Sequence, residues 1–165
     1  MMLVFAIAPN EFDAALAAAA AGRSAPVIDD AFTPVEILAD TDRVVVGPGR
    51  PASLTLRVRI AEHYHLNAFD PAPGREAGGT GLVPFRVHII NGAGVTIYAD
   101  YPAGDVYGTD GELRIYRGQF DLPVALEAAG AWSGQPLLAV TFQACTDDRC
   151  LPARTAELDV AIDRP

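Results

Sequence analysis

Hydrophobic and polar side chains alternate with a period of two through much of the chain. Over Ser53-Leu54-Thr55-Leu56-Arg57-Val58-Arg59-Ile60, the apolar residues Leu54, Leu56, Val58 and Ile60 share one face. Arg57 and Arg59 point the other way. Successive side chains of a strand face opposite sides of its sheet, so this pattern predicts a strand with one buried face. Phe85 to Ile89 and Ala156 to Ile162 alternate in the same way, and Leu138, Val140 and Phe142 share a face within Leu137 to Cys145. Shorter strands are expected at 43–46, 95–98, 113–120 and 122–126. The intervals carry turn chemistry: Gly47-Pro48-Gly49, Pro71 to Gly81, Asn91-Gly92-Ala93-Gly94 and Gly108 to Gly111. Asn91-Gly92 between two apolar runs predicts a hairpin. About seven to nine short strands, with a turn roughly every ten residues, predict an all-β antiparallel sandwich. No helical pattern alternates with the strands, which argues against a parallel α/β fold.

The N-terminal stretch is different. Asn10 is a good helix cap, Glu11 and Asp13 suit a first turn, and the alanine run ends at Gly22. A short helix is expected over 11–21, followed by a linker through Pro26. Residues 1–28 read as an appendage of spacer character, and residues 29–165 as one domain. The opening run Met1 to Pro9 lacks a basic residue before its apolar stretch and matches a secretory signal poorly. No segment approaches the roughly 20 apolar residues of a membrane span. The weak N-terminus suggests a piece of a longer protein.

The net charge of −9 argues against nucleic acid and against direct binding to an anionic membrane surface. All 12 basic residues are arginine, so lysine-based mechanisms are absent, including Schiff-base chemistry and the phosphate-loop lysine. Carboxylate pairs such as Asp29-Asp30 and Asp147-Asp148 read as solvated turns.

The two cysteines lie in Phe142-Gln143-Ala144-Cys145-Thr146-Asp147-Asp148-Arg149-Cys150-Leu151-Pro152. Cys145 ends one expected strand and Cys150 approaches the last, which puts both sulfurs at the mouth of a hairpin. A bridge closing so short a loop stabilises by only about 2 kcal/mol, against nearly 5 for a loop of about 100 residues. The spacing and the polar turn lean towards a bond that opens and closes. Two other readings stay open. One is an inert hairpin disulfide in a non-catalytic interaction module. The other is a zinc site in which His63-x-His65 joins the cysteines.

Three ordered blocks carry a family resemblance. Thr141-Phe142-Gln143-Ala144-Cys145 with Cys150-Leu151-Pro152 resembles the cysteine motif of the periplasmic N-terminal domain of DsbD, the thiol:disulfide interchange protein. Val106-Tyr107-Gly108, Glu112 to Arg117 and Phe120-Asp121-Leu122-Pro123-Val124 are similar to the segment between that family's cap loop and its cysteine strand. Ile60-Ala61-Glu62-His63-Tyr64-His65-Leu66-Asn67 is similar to an earlier strand beside the active site. The likeness spans roughly 29–165.

The resemblance implies an immunoglobulin-like β-sandwich whose cysteines cycle between dithiol and disulfide, without a cofactor or metal. It implies a thiol-disulfide oxidoreductase component, a protein-disulfide reductase, working in the periplasm or otherwise outside the cytoplasm. Its partners would be thioredoxin-like redox proteins and a membrane-embedded or fused reductant. Cys150 would bond to partners and Cys145 would resolve the mixed disulfide. A cap at Asp105-Val106-Tyr107-Gly108 would shield the pair. Three departures stand out: the Cys-x4-Cys spacing is one residue shorter than in the best-known members, Val106 takes the place of a cap phenylalanine, and His65 and Asn67 replace two aromatics beside the cysteines. A histidine there would either tune a thiol or relay its proton, or else simply fill a packed site.

Overall fold

The computed structural model describes residues 33–70, 81–109, 111 and 113–165. The helix expected over 11–21, the boundary at 28/29, and residues 71–80 of the Pro71–Gly81 turn lie outside this set.

Eleven strands follow one another: β1 Val35–Ala39, β2 Arg43–Val45, β3 Ala52–Ile60, β4 His65–Asn67, β5 Arg86–Ala99, β6 Asp105–Tyr107, β7 Leu113–Tyr116, β8 Gln119–Phe142, β9 Ala144–Cys145, β10 Arg154–Leu158 and β11 Ala161–Asp163. No helix occurs among the described residues. The architecture is the expected all-β immunoglobulin-like sandwich. β3 matches its alternation: Leu54, Leu56, Val58 and Ile60 are all buried. Leu54 and Leu56 pair in register with Val124 and Leu122 of β8, which are buried with them. On the solvent face Arg57 pairs with Asp121 at 2.9 Å and Arg59 with Glu36 at 3.1 Å. Exposed ion pairs of this kind add little stability, so the apolar face holds the strand in place.

β5 and β8 form the longest pairing of the fold among the described residues. β8 has 24 residues. At about 3.3 Å per residue it would run roughly 80 Å if straight, several times the radius of gyration of about 14 Å for a domain of this size. It therefore bends. β3 pairs with its first part and β10 with its last, while β5 runs antiparallel along its other side. The register slips between Ile90 and Gly92 and again between Ala93 and Val95. Here the structure departs from the hairpin expected at Asn91-Gly92. The chain does not reverse but continues as one bulged strand. Asn91 and Gly94 take left-handed backbone angles, φ 57° and 90°, which suit a bulge as well as a turn. The strands expected separately at 122–126 and 137–145 are largely one, β8, for the same reason.

The run Ala156 to Ile162 is split. Val160 N–H donates to the Leu158 carbonyl at 2.9 Å, which kinks the chain. β10 stays on β8, and β11 leaves to pair with β2 in parallel. Among the pairs of named strands in the described residues, this one is parallel and the others are antiparallel. Leu158, Val160 and Ile162 all remain buried across the kink.

A separate small sheet has the order β6-β7-β4-β9. Tyr116 of β7 ties it to the body. Its hydroxyl donates to the Pro102 carbonyl at 2.8 Å and accepts from Phe69 N–H at 3.2 Å, and its ring meets the fully buried Phe85 edge-on.

Candidate redox site

The cysteines sit at the edge of the small sheet. Cys145 ends β9, and Cys150 faces it across an isolated antiparallel bridge. They form a disulfide with Cα atoms 3.9 Å apart. Thr146 organises the turn between them. Its N–H donates to the Arg149 carbonyl at 2.8 Å, and its hydroxyl accepts from the N–H groups of Asp148 and Arg149. Below the turn, Leu151 N–H donates to the Ala144 carbonyl at 2.8 Å, and Gln143 Nε2 donates to the Leu151 carbonyl at 3.1 Å. The two sulfur-bearing residues are not equivalent. Cys145 is 2% exposed, whereas Cys150 lies open to solvent.

β4 runs beside β9, with His65 opposite Cys145. His65 is buried, and its ring lies 4.7 Å from the Tyr107 ring of β6. Burial lowers the His65 pKa, the nearby Arg117 lowers it further, and Asp147 partly opposes both. Tyr107 donates a 2.9 Å hydrogen bond to Asp147, in the turn between the cysteines. Arg117 lies 5.3 Å over the Tyr107 ring and 3.7 Å from the Asp147 carboxylate. That hydrogen bond, foremost, raises the Tyr107 pKa, so the phenol stays protonated and keeps donating. β6 is thus fastened to the inter-cysteine turn.

The other expected site residues are placed differently. Val106 is 57% exposed and points away from the face that Tyr107 uses, over Gly111. Asp105 is exposed and pairs in register with Ile115. Asn67 is buried, and its Nδ2 donates to the Val83 carbonyl at 3.1 Å, so its side chain ties down a neighbouring loop. Tyr107 and His65 are brought together with Cys145. The side chains of Asp105 and Val106 are not brought to the pair, and that of Asn67 is engaged elsewhere.

Arg117 was not singled out from sequence. Its signal is register: Leu66 pairs with Tyr116, so the next step places Arg117 level with His65. A groove of about 470 Å³ runs from this point, lined by Glu62, His63, Tyr64, Arg117 and Asp147 among others. His63 is exposed, with φ 69°. No group of three or more His, Cys, Asp or Glu among the described residues is arranged to hold a metal ion.

A family profile described as "Thiol:disulfide interchange protein DsbD, N-terminal" matches residues 35–162. The chain belongs to the DsbD N-terminal domain family. Its matched span includes the small sheet, both cysteines and the frame that holds them. Among solved structures, the N-terminal periplasmic domain of ScsB from Proteus mirabilis superposes with a TM-score of 0.56 at 13% identity. That match covers 84% of this chain and 51% of the other, so the chain spans about half the length of the solved domain. At this identity the likeness is one of fold. No curated protein matches the chain. The family's description names thiol:disulfide interchange, a chemistry to which an unequal cysteine pair is suited.

Proposed function

We propose that the domain passes electrons between a reducing module, membrane-embedded or fused to it, and thioredoxin-like partner proteins outside the cytoplasm. The observation that carries this reading is the asymmetry of the pair: Cys150 is exposed and Cys145 is 2% exposed. A partner's sulfur can reach only the outer one. In the reduced domain, the Cys150 thiolate attacks the partner disulfide, and one partner sulfur leaves as a thiolate. Cys145 then attacks Cys150, releases the second partner sulfur and closes the Cys145–Cys150 bond. The domain loses two electrons and the partner gains them. Support for the periplasm comes from the family's membership and from the description of the ScsB domain as periplasmic. No described helix is long and apolar enough to cross a membrane. In this reading the Asp105–Tyr107 strand acts as a cap through Tyr107, whose side chain shields the inner cysteine, Cys145, until a partner docks.

Trapping tests it. Cys145→Ser leaves the exposed thiol without its resolving neighbour. Mixed with an oxidised thioredoxin-like protein and quenched in acid, it is expected to show a mixed disulfide on non-reducing gels, and Cys150→Ser is expected to show none. The reduction potential is expected above about −300 mV, since structural disulfides usually lie below that value. A lower potential together with no trapped species would leave only a structural bond.

A further inference from the structure

The fold seats a titratable ring against the buried cysteine. His65 is 5% exposed and is the register partner of Cys145 across the β4–β9 pair. Directly opposed residues of an antiparallel pair project to the same face, with Cβ atoms about 4.5–5.5 Å apart. Imidazole and sulfur thus share one face of the small sheet, and the Tyr107 ring closes it from β6. The charged and titratable groups that face the imidazole are Cys145 from β9, Tyr107 from β6, Arg117 from the end of β7 and Asp147 from the inter-cysteine turn.

We propose that His65 is the proton acceptor for Cys145 in the resolving step of exchange. The inference rests on the redox reading above. Before this step Cys150 is bonded to the partner's sulfur and Cys145 is a thiol. The thiol proton passes to a nitrogen of the neutral imidazole. The Cys145 thiolate attacks Sγ of Cys150, that bond forms, and the bond from Cys150 to the partner breaks. The electron pair leaves on the partner's sulfur. The imidazolium then returns its proton to solvent. Only the thiolate is the nucleophile. A charge forming at a residue 2% exposed is poorly solvated, so Cys145 needs a neighbouring acceptor where the exposed Cys150 does not. Burial and Arg117 keep the ring neutral, and hence able to accept, at neutral pH.

The reduced chain, mixed with equimolar oxidised glutathione, quenched in acid and read by mass, separates two steps. Attack by Cys150 adds one glutathionyl group, and resolution by Cys145 removes it. His65→Gln is expected to leave the first step within about twofold and to slow the second about 100-fold at pH 7, so that the glutathionylated chain accumulates. In the unaltered chain the second step is expected to fall in acid, with its midpoint at the His65 pKa read by NMR on the same protein. Equal resolution rates in both chains, or a midpoint that ignores the His65 titration, overturns the role of His65. The midpoint requires no variant, so it decides even if His65→Gln fails to fold. A Cys145→Ser chain that forms no mixed disulfide with glutathione at Cys150 overturns the redox reading, and this inference with it.

Discussion

Tyr107 donates a hydrogen bond to Asp147, a residue of the turn between the two cysteines. β6, the cap in the proposed reading, is fastened to the segment it would protect. A hydrogen bond of this kind is worth about 1 kcal/mol, or roughly fivefold in an opening equilibrium. Tyr107→Phe is therefore expected to speed reduction of the disulfide by a water-soluble phosphine by about that factor, measured as thiol release. Val106→Ala, altering an outward-pointing side chain, is expected to leave the rate within about twofold. His65 carries a second prediction. Its pKa in the fold lies below the ordinary value of 6.5. Above that value the ring is neutral in both the folded and unfolded chain, and its contribution to stability is complete. As pH falls through the folded-state pKa, the fold must accept a charge in a buried place and stability is lost. Urea midpoints are expected to drop between pH 7 and pH 5 more steeply in the unaltered chain than in His65→Gln. Little of this was readable along the chain. The cysteines announced themselves, but the setting of Cys145 depends on residues far upstream: its register partner His65, 80 residues earlier, and Tyr107, 38 residues earlier, whose ring packs on His65.

β5 and β8 bend together where their register slips. Gly134 has φ 86°, and a Cβ there would collide with the Asn91 carbonyl. Gly134→Ala must both strain the backbone and push the two strands apart, so it is expected to cost about 2 kcal/mol or more in urea unfolding. Gly130 in the same strand has open space around the Cβ position, and Gly130→Ala is expected to stay within about 0.5 kcal/mol of the unaltered chain. These elements also mark how far the sequence could be read. The alternation of β3 was plain, because one buried face fixes every second residue from Leu54 to Ile60. Asn91-Gly92 was read as a reversal because residues that permit left-handed angles serve a turn and a bulge equally. What separates the two is the partner strand, which stays alongside from Thr141 to Val124. His65–Asn67 is only three residues long, too short for any period to show.

For the molecule as a whole, the disulfide is expected to be a small part of what keeps it folded. The bond closes a short loop, worth about 2 kcal/mol at most in chain entropy, while the core draws on residues from Val35 to Ile162. Cys145→Ala with Cys150→Ala is expected to keep the native far-ultraviolet spectrum and to lose no more than about that amount in denaturant unfolding. The small sheet bears on a different kind of stability. Its strands are two to four residues long, and β6 is held to β7 over only the three pairs from Asp105–Ile115 to Tyr107–Leu113. Local opening costs least where few backbone bonds must break together. Amide protons of β6 should therefore exchange with deuterium long before those of β3 or β8. The site would then have its own clock, opening many times for each time the frame around it unfolds.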